Sequence, residues 1–226
     1  MTAAAAALAL IPARGGSKGI PGKNLQEVEG VPLVGRSVQA ALASTRVSRV
    51  VVSTDDDAIA AAARSHGAEV VRRPEHLAGD TASSESALLH ALEQLSTAGP
   101  LPPRLVFLQC TSPFTSGEQI DQVLAALDAP AVNSSFAVAP WHGFLWRGDG
   151  RGINHDPQQP RQRRQDLEPA YLETGAIYAM DVGAFRRCGN RFCPPTRPVV
   201  LEQVGPEIDT ADDLALCRSI AAQKGE

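Results

Sequence analysis

The residues with the most evident chemistry sit in one short stretch, Arg14-Gly15-Gly16-Ser17-Lys18-Gly19-Ile20-Pro21-Gly22-Lys23-Asn24. Its glycines let the backbone turn tightly and aim N–H groups at an anion. Arg14, Lys18 and Lys23 add cations that offset phosphate charge. The combination suits a triphosphate. The spacing excludes two common phosphate loops. A dinucleotide fingerprint needs Gly-x-Gly-x-x-Gly, and Gly15 and Gly16 are adjacent. A Walker loop needs four residues between Gly and Gly-Lys, then Ser or Thr. Here five residues separate Gly16 from Gly22, and Asn24 follows Lys23.

Three other groups of reactive types point to less. Arg161-Gln162-Arg163-Arg164-Gln165 is basic, but Asp166 and Glu168 adjoin it and the formal charge is −4. That balance argues against nucleic acid. The five histidines form no metal-spaced pair. The four cysteines form no Cys-x-x-Cys pair. Cys188 and Cys193 are close enough in sequence to meet, although thiols of a reducing cytosol are the ordinary expectation.

These residues need elements to position them. Ala7–Pro12 reads as a strand feeding the glycine-rich loop. Leu33–Ser44 has helical periodicity, Arg49–Thr54 is a β-branched strand, and Asp56–His66 is a helix stopped by Gly67. Glu69–Val71 is a short strand, and Ser83–Leu95 is a helix capped by Ser83 or Ser84. Leu105–Gln109 is a further strand. Ser116 with Gln119 forms a capping box that opens a helix to Leu127. Ala131–Ala139, Gly175–Met180 and Pro198–Gln203 read as strands. Thr210, with Asp213 three residues on, caps a closing helix through Ile220. Alternation of this kind predicts a mostly parallel sheet with helices on both faces. Ligands of such sheets lie at the carboxyl ends of the strands. The loops Arg14–Asn24, Ser53–Asp57 and Gln109–Ser112 fall there. From Pro140 to Ala170 the pattern breaks into a segment too long for an ordinary loop, so it is functional, an appendage, or both.

Composition sets the remaining bounds. The 226 residues suit one α/β domain spanning 1–226, with 140–170 as its appendage. Aromatic residues are 4% of the chain and none precedes Phe107, so the first half must build its core from aliphatic residues. Phe136, Trp141, Phe144 and Trp146 crowd together and are expected in that appendage as an interface. No apolar run approaches the ~20 residues of a membrane span. The apolar start lacks the basic residues of a signal peptide, so a cytoplasmic protein is expected.

Several ordered segments resemble the CMP-sialic acid synthetases (acylneuraminate cytidylyltransferases). They are Ile11–Gly19 with Lys23-Asn24; Val52-Ser53-Thr54-Asp55; Arg73-Pro74-Glu75 followed by Asp80–Ser84; Leu108–Pro113; Gly175-Ala176-Ile177-Tyr178; and Ile208-Asp209-Thr210. The resemblance covers essentially the whole chain. It implies a Rossmann-like three-layer α/β/α nucleotidyltransferase fold with a protruding dimerisation arm. It also implies transfer of CMP from CTP to the anomeric hydroxyl of a nonulosonic 2-keto sugar acid, with Mg2+ and release of pyrophosphate. Such chemistry asks for alignment and charge neutralisation rather than a covalent nucleophile.

By the same resemblance, Arg14, Gly16, Ser17, Lys23 and Asn24 hold the triphosphate, and Arg14, Lys23 and Asp209 serve catalysis. Arg73, Ala82 and Ser84 contact the nucleoside. Gln109, Thr111, Thr174 and Tyr178 face the sugar. Arg164 and Gln165 reach it from the arm, in the partner's site of a homodimer. Cys110 stands where the family usually has Pro, and packing is its expected role. The metal pair is Asp209 with Glu207, where the family has Asp-Ile-Asp-Thr and this chain has Glu207-Ile208-Asp209-Thr210. Residues two apart on an extended segment point the same way. Thr174 replaces a usual Asn, which leaves room for a nonulosonic acid other than N-acetylneuraminate. Two alternatives stand beside this reading: the sister activity on 3-deoxy-manno-octulosonate, and a nucleotide-binding homologue without catalysis.

Overall fold

Strand β1 (Ala7–Pro12) sets the centre of the molecule. Its side chains alternate between two hydrophobic clusters: Ala7, Ala9 and Ile11 enter one, Leu8 and Leu10 the other. A strand buried on both faces needs an unbroken apolar run, which Ala7–Ile11 supplies. The computed structural model describes residues 6–17, 19–79, 81–161 and 163–224, without the side chains of Arg164 and Lys224.

After β1 come a short hairpin, β2 (Glu27–Val28) and β3 (Val31–Pro32), then α1 (Leu33–Ala43) and β4 (Val47–Thr54). Helix α2 (Asp57–Ser65) leads to β5 (Glu69–Arg72), and α3 (Ser84–Ala98) leads to β6 (Arg104–Leu108). Helix α4 (Gly117–Ala125) precedes β7 (Ser134–Trp141) and β8 (Ala170–Asp181). Helix α5 (Val182–Cys188), β9 (Thr196–Val200) and α6 (Ala211–Lys224) complete the described chain. The main sheet has seven strands in the order β5-β4-β1-β6-β8-β7-β9. Strand β8 runs antiparallel to both its neighbours; every other pairing in that sheet is parallel. The mostly parallel, three-layer reading therefore holds.

Parallel register is what positions the site. Pro12 pairs with Ser53, and Thr54 pairs with Arg72, so β1, β4 and β5 end along one edge. Strand β6 runs the same way beside β1. The loops after all four strands emerge together there.

Local chemistry sets the helix starts. Asp56, Ser83 and Asp181 cap α2, α3 and α5 through side-chain oxygens. Ser116 and Gln119 form the expected capping box on α4. Thr210 and Asp213 bond each other reciprocally before α6.

Several boundaries differ from expectation: β9 spans Thr196–Val200 rather than Pro198–Gln203, and α3 and α6 run on to Ala98 and Lys224. The strand expected at Ala131–Ala139 is β7, which begins at Ser134 because Ala131 sits in a turn at φ 65°. Its far end passes Pro140, where β9 no longer pairs with β7 and a missing N–H breaks no ladder on that side. Strand β8 starts at Ala170 rather than Gly175. Gly175, at φ 69°, lies in a bulge within the strand: Phe136 opposes Tyr178 while Val138 opposes Glu173. Phe136 belongs to β7 and packs edge-on against Phe192 at 5.1 Å, so it is not part of the arm's aromatic cluster. Among the described residues, no helix is long and apolar enough to cross a membrane.

Candidate active site

The glycine-rich loop is tied at both ends. Gly15 donates its amide to Asp55 Oδ1 at 3.1 Å, across the end of β4. Asn24, 8% exposed, donates Nδ2 to the Arg14 carbonyl at 2.9 Å and draws the loop's two stems together. Gly19 lies so near the 209 backbone that a Cβ would stand 2.5 Å from the Asp209 carbonyl oxygen. Only glycine permits that approach. Lys23 Nζ then donates to the Ile208 carbonyl at 3.0 Å and to Asp209 Oδ1 at 3.1 Å. Distant segments, 14–24 and 208–209, thus form one wall.

That wall lines a cavity of about 410 Å³. The loop contributes Arg14, Ser17, Lys23 and Asn24 to it. Arg73 enters after β5, and Ala82, Ser83 and Ser84 enter at the start of α3. Thr111 follows β6, and Asp209 precedes α6. A Cβ at Gly16 would meet nothing within 4 Å, and Gly16 is not among the lining residues. Lys18 and Asp80, two residues of the sequence motifs, lie outside the described residues.

The cavity's electrostatics favour an anion. Arg73 is 8% exposed, and its Nη2 donates to the Ser53 carbonyl at 2.5 Å. Its buried Nε has no hydrogen-bond partner. Burial pulls the Arg73 guanidinium below its ordinary pKa; Asp55 opposes that shift and the neighbouring Arg14 adds to it. A buried cation crowded by another cation costs free energy that an anionic ligand offsets. The N-terminus of α3, where Ser83 accepts the Ser86 amide, presents further positive character.

A second cluster adjoins the first. Tyr178 is buried, stacks on Phe107 at 5.4 Å and donates its hydroxyl to Glu173. Burial first, then Glu173, pushes the phenol's pKa upward. Gln109 is half-buried, and its backbone N–H donates to the Ala176 carbonyl at 3.3 Å. Thr174 is buried and donates to the Ala137 carbonyl at 3.2 Å, so its hydroxyl braces the β8 bulge. It faces a small cleft with Ser112 and Ala176, outside the nucleotide-sized cavity. Glu207 accepts from Ser112 Oγ at 3.2 Å. Burial raises the Glu207 carboxyl above its ordinary pKa; Asp209 and Glu173 add to that rise, while Ser112 and Lys23 oppose it.

The donor chemistry for a metal is sparse. Among the described residues, no group of three or more His, Cys, Asp or Glu side chains is arranged to hold an ion. Asp209 is 74% exposed at the cavity, with Glu207 two residues before it. One or two carboxylates completed by phosphate oxygens and water is a set that fits Mg2+.

The arm encloses a separate cavity of about 820 Å³. His155 packs edge-on to Phe144 at 4.9 Å and Trp146 at 4.6 Å, and Arg161 stacks 4.4 Å over Phe144. Trp146 is still 53% exposed. Gln165 is exposed in a short turn and is not among the cavity's lining residues. The Arg164 side chain lies outside the described residues.

Sequence reasoning overlooked four supports. Asp55 and Ser112 were signalled, since both lie in the ordered motifs. Glu173 beneath the Tyr178 hydroxyl was visible only as the neighbour of Thr174. The Arg191–Glu85 ion pair, 2.6 Å, holds Arg191 4.8 Å over the Tyr178 ring and had no signal in the sequence.

Comparisons with known proteins bear on the family and the fold. A cytidylyltransferase family model matches residues 8–144. An N-acylneuraminate cytidylyltransferase of Oncorhynchus mykiss is 36% identical over 177 residues, 75% of this chain and 40% of that one. The chain therefore spans about two fifths of that relative's length. A pseudaminic acid cytidylyltransferase of Campylobacter jejuni is 30% identical over 93% of this chain and 94% of its own. A CMP-N,N'-diacetyllegionaminic acid synthase of Legionella pneumophila is 31% identical over 94% and 95%. Among solved structures, a CMP:2-keto-3-deoxy-manno-octonic acid synthetase complexed with CTP aligns with TM-score 0.75 at 20% identity, covering 97% of this chain and 99% of that one. A 4-diphosphocytidyl-2C-methyl-D-erythritol synthase from Anaerococcus prevotii aligns with TM-score 0.69 at 14% identity, covering 97% of each. These two likenesses concern the fold.

Proposed function

The chain belongs to the cytidylyltransferase family, and on that premise we propose that it transfers CMP from CTP to the anomeric hydroxyl of a nonulosonic 2-keto sugar acid. The observation that carries this reading is the cavity joining Arg14 and Lys23 of the glycine-rich loop with Arg73 and Asp209, from three separate segments. It gathers three cations, Arg14, Lys23 and Arg73, where a triphosphate needs them. The full-length bacterial relatives named for pseudaminic and legionaminic acids support the nonulosonic class.

In this proposal Arg14, Ser17 and Asn24 hold the triphosphate, with Gly16 leaving room for its approach. Lys23, fixed by two acceptors, lies against the α-phosphate and the departing bridge oxygen. Arg73, Ala82 and Ser84 seat the nucleoside. The acceptor lies toward Gln109, Thr111 and Tyr178, with Thr174 shaping the bulge beside it. Its anomeric hydroxyl oxygen bonds to the α-phosphorus and gives its proton to water as the bond to the β-phosphate breaks and pyrophosphate leaves. Fixed donors and cations are worth most where charge develops in a water-poor site. Asp209, with Glu207, would hold Mg2+, which when bound supplies positive charge to the phosphate oxygens.

We assign residues 1–226 to one cytoplasmic cytidylyltransferase domain whose 140–170 arm dimerises. Arg164 and Gln165 then serve the partner's acceptor side. Exposed Leu145, Trp146 and Ile153 on the arm support an interface. Pyrophosphate release with CTP, Mg2+ and a panel of eight- and nine-carbon 2-keto acids tests the whole reading. Release with a nine-carbon acid is expected. Release only with the eight-carbon acid would transfer the protein to that sister activity, and release with none would remove the enzyme reading for these acceptors.

A further inference from the structure

Outside the active site, two sulfurs meet. Helix α5 ends at Cys188, and Gly189, at φ 63°, reverses the chain so that Cys193 returns beside it. The Sγ atoms are 2.8 Å apart. Both also converge on the Asn190 carbonyl, Cys188 at 3.2 Å and Cys193 at 2.9 Å. Cys188 is exposed and Cys193 is buried. Neither has a role in the proposed transfer. The intervening loop is coupled to the acceptor side: Arg191 stacks on Tyr178, and Phe192 meets the same ring edge-on at 5.9 Å.

We propose that Cys188 and Cys193 are a redox-active thiol pair, which a low-molecular-weight disulfide oxidises to an internal disulfide that clamps this loop against Tyr178. The exposed Cys188 thiolate attacks one sulfur of the small disulfide. That S–S bond breaks, one small thiol leaves and takes up a proton, and a mixed disulfide forms on Cys188. Cys193 then loses its proton and attacks Cys188 Sγ, and the second small thiol leaves protonated. The protein gives up two electrons and two protons, and the reagent is reduced to two thiols. Burial, with Cys188 beside it, pushes the Cys193 thiol up to about 12, so Cys193 waits as the protonated second sulfur. Closing the bond needs only a small approach to the ~2.05 Å of a disulfide.

The test is titration of the folded full-length protein with oxidised glutathione, followed by thiol counting under denaturing conditions and peptide mapping. The expected result is loss of two of the four thiols, an intact mass lower by about 2 Da, and no retained glutathione. Trypsin cuts after Arg187 and Arg191 but not at Arg197-Pro198, so Cys193 and Cys217 share one peptide. Fragmentation must place the link to Cys188 at Cys193. Cys188→Ser should keep its three remaining thiols, and Cys193→Ser should hold one glutathione at Cys188. Wild-type protein that keeps four thiols, that accumulates a stable glutathione adduct, or that links through Cys110 or Cys217 would overturn the proposal. The Cys188→Ser variant changes an exposed position, so its outcome does not depend on repacking the core.

Discussion

Replacing Lys23 by Met separates binding of the loop from chemistry. The aliphatic stem is kept and the charge is lost. The side chain is 13% exposed and has two acceptors, the Ile208 carbonyl and Asp209. Asp209 is 74% exposed, so the ion pair itself contributes little, about 0–1 kcal/mol. The bond to the Ile208 carbonyl adds about 1 kcal/mol. Together the loss is about 1–2 kcal/mol, which lowers the Tm by roughly 2–8 °C at this size. Catalysis should suffer far more. A fixed donor at a site of developing charge is worth about 2.7–4 kcal/mol, or 10²–10³ in kcat. The assay is pyrophosphate release at saturating CTP and acceptor, beside a thermal melt of the same preparation. Lys23→Arg keeps charge but presents a planar fork where a compact ammonium bridged two acceptors, and should fall between. A Met variant within tenfold of wild-type kcat would refute the reasoning. A melt lowered by more than ~15 °C would show that Lys23 acts chiefly as a structural tie.

Other consequences can be checked separately. Asp209→Ala should abolish most turnover and scarcely move the melt, since the side chain is largely exposed; near-normal rates would show that the metal assignment is wrong. Asp121 on α4 holds the turn between α1 and β4, accepting from Ser44 at 2.5 Å and from the Thr45 amide at 3.0 Å. Burial pushes its carboxyl upward, but bonds from Ser44, Thr45 and the Arg46 amide outweigh that and hold its pKa below the usual range. A depressed folded pKa means stability present above the unfolded value of about 3.8 and lost as pH falls through the folded one. Asp121→Asn should therefore cost about 1–2 kcal/mol at neutral pH, and the deficit against wild type should shrink in acid; a deficit independent of pH counts against the bonds. Trp146→Ser should weaken self-association measured by light scattering at low concentration, and an unchanged mass would remove Trp146 from the interface.

Much of this molecule was legible because its local signals agree with its global pattern. Ala7–Ile11 can only be a twice-buried strand, and Ser116 with Gln119 can only open a helix. The glycine-rich loop was readable as an anion cradle, but the reasons for particular glycines were not. Gly19 is required by contact with residue 209, a neighbour fixed only by folding. Gly175 looked like the start of a strand because the sequence does not distinguish a bulge from a boundary. Helix α5 went unseen: its seven residues are too few for a period, although Asp181 and Gly189 mark its ends. The engagement of the Thr174 hydroxyl with Ala137 depends on strand register, and so does the burial of Tyr178. The Arg191–Glu85 pair joins segments remote in sequence, and nothing in either segment announces the other.

The reversed strand has a consequence for how this architecture diversifies. Because β8 is antiparallel to β7, Trp141 pairs with Ala170, and residues 142–169 leave and rejoin the sheet at a single rung. An excursion whose ends already meet adds little closure entropy when its length changes. The segment is in effect a plug-in cassette. It can be shortened, lengthened or exchanged for that of a relative while the nucleotide wall, built from other connections, keeps its shape. Under the proposed function, acceptor range and subunit pairing would be free to drift together, independently of the triphosphate site, and a chimera carrying a foreign 142–169 on this sheet is the natural object with which to measure that independence.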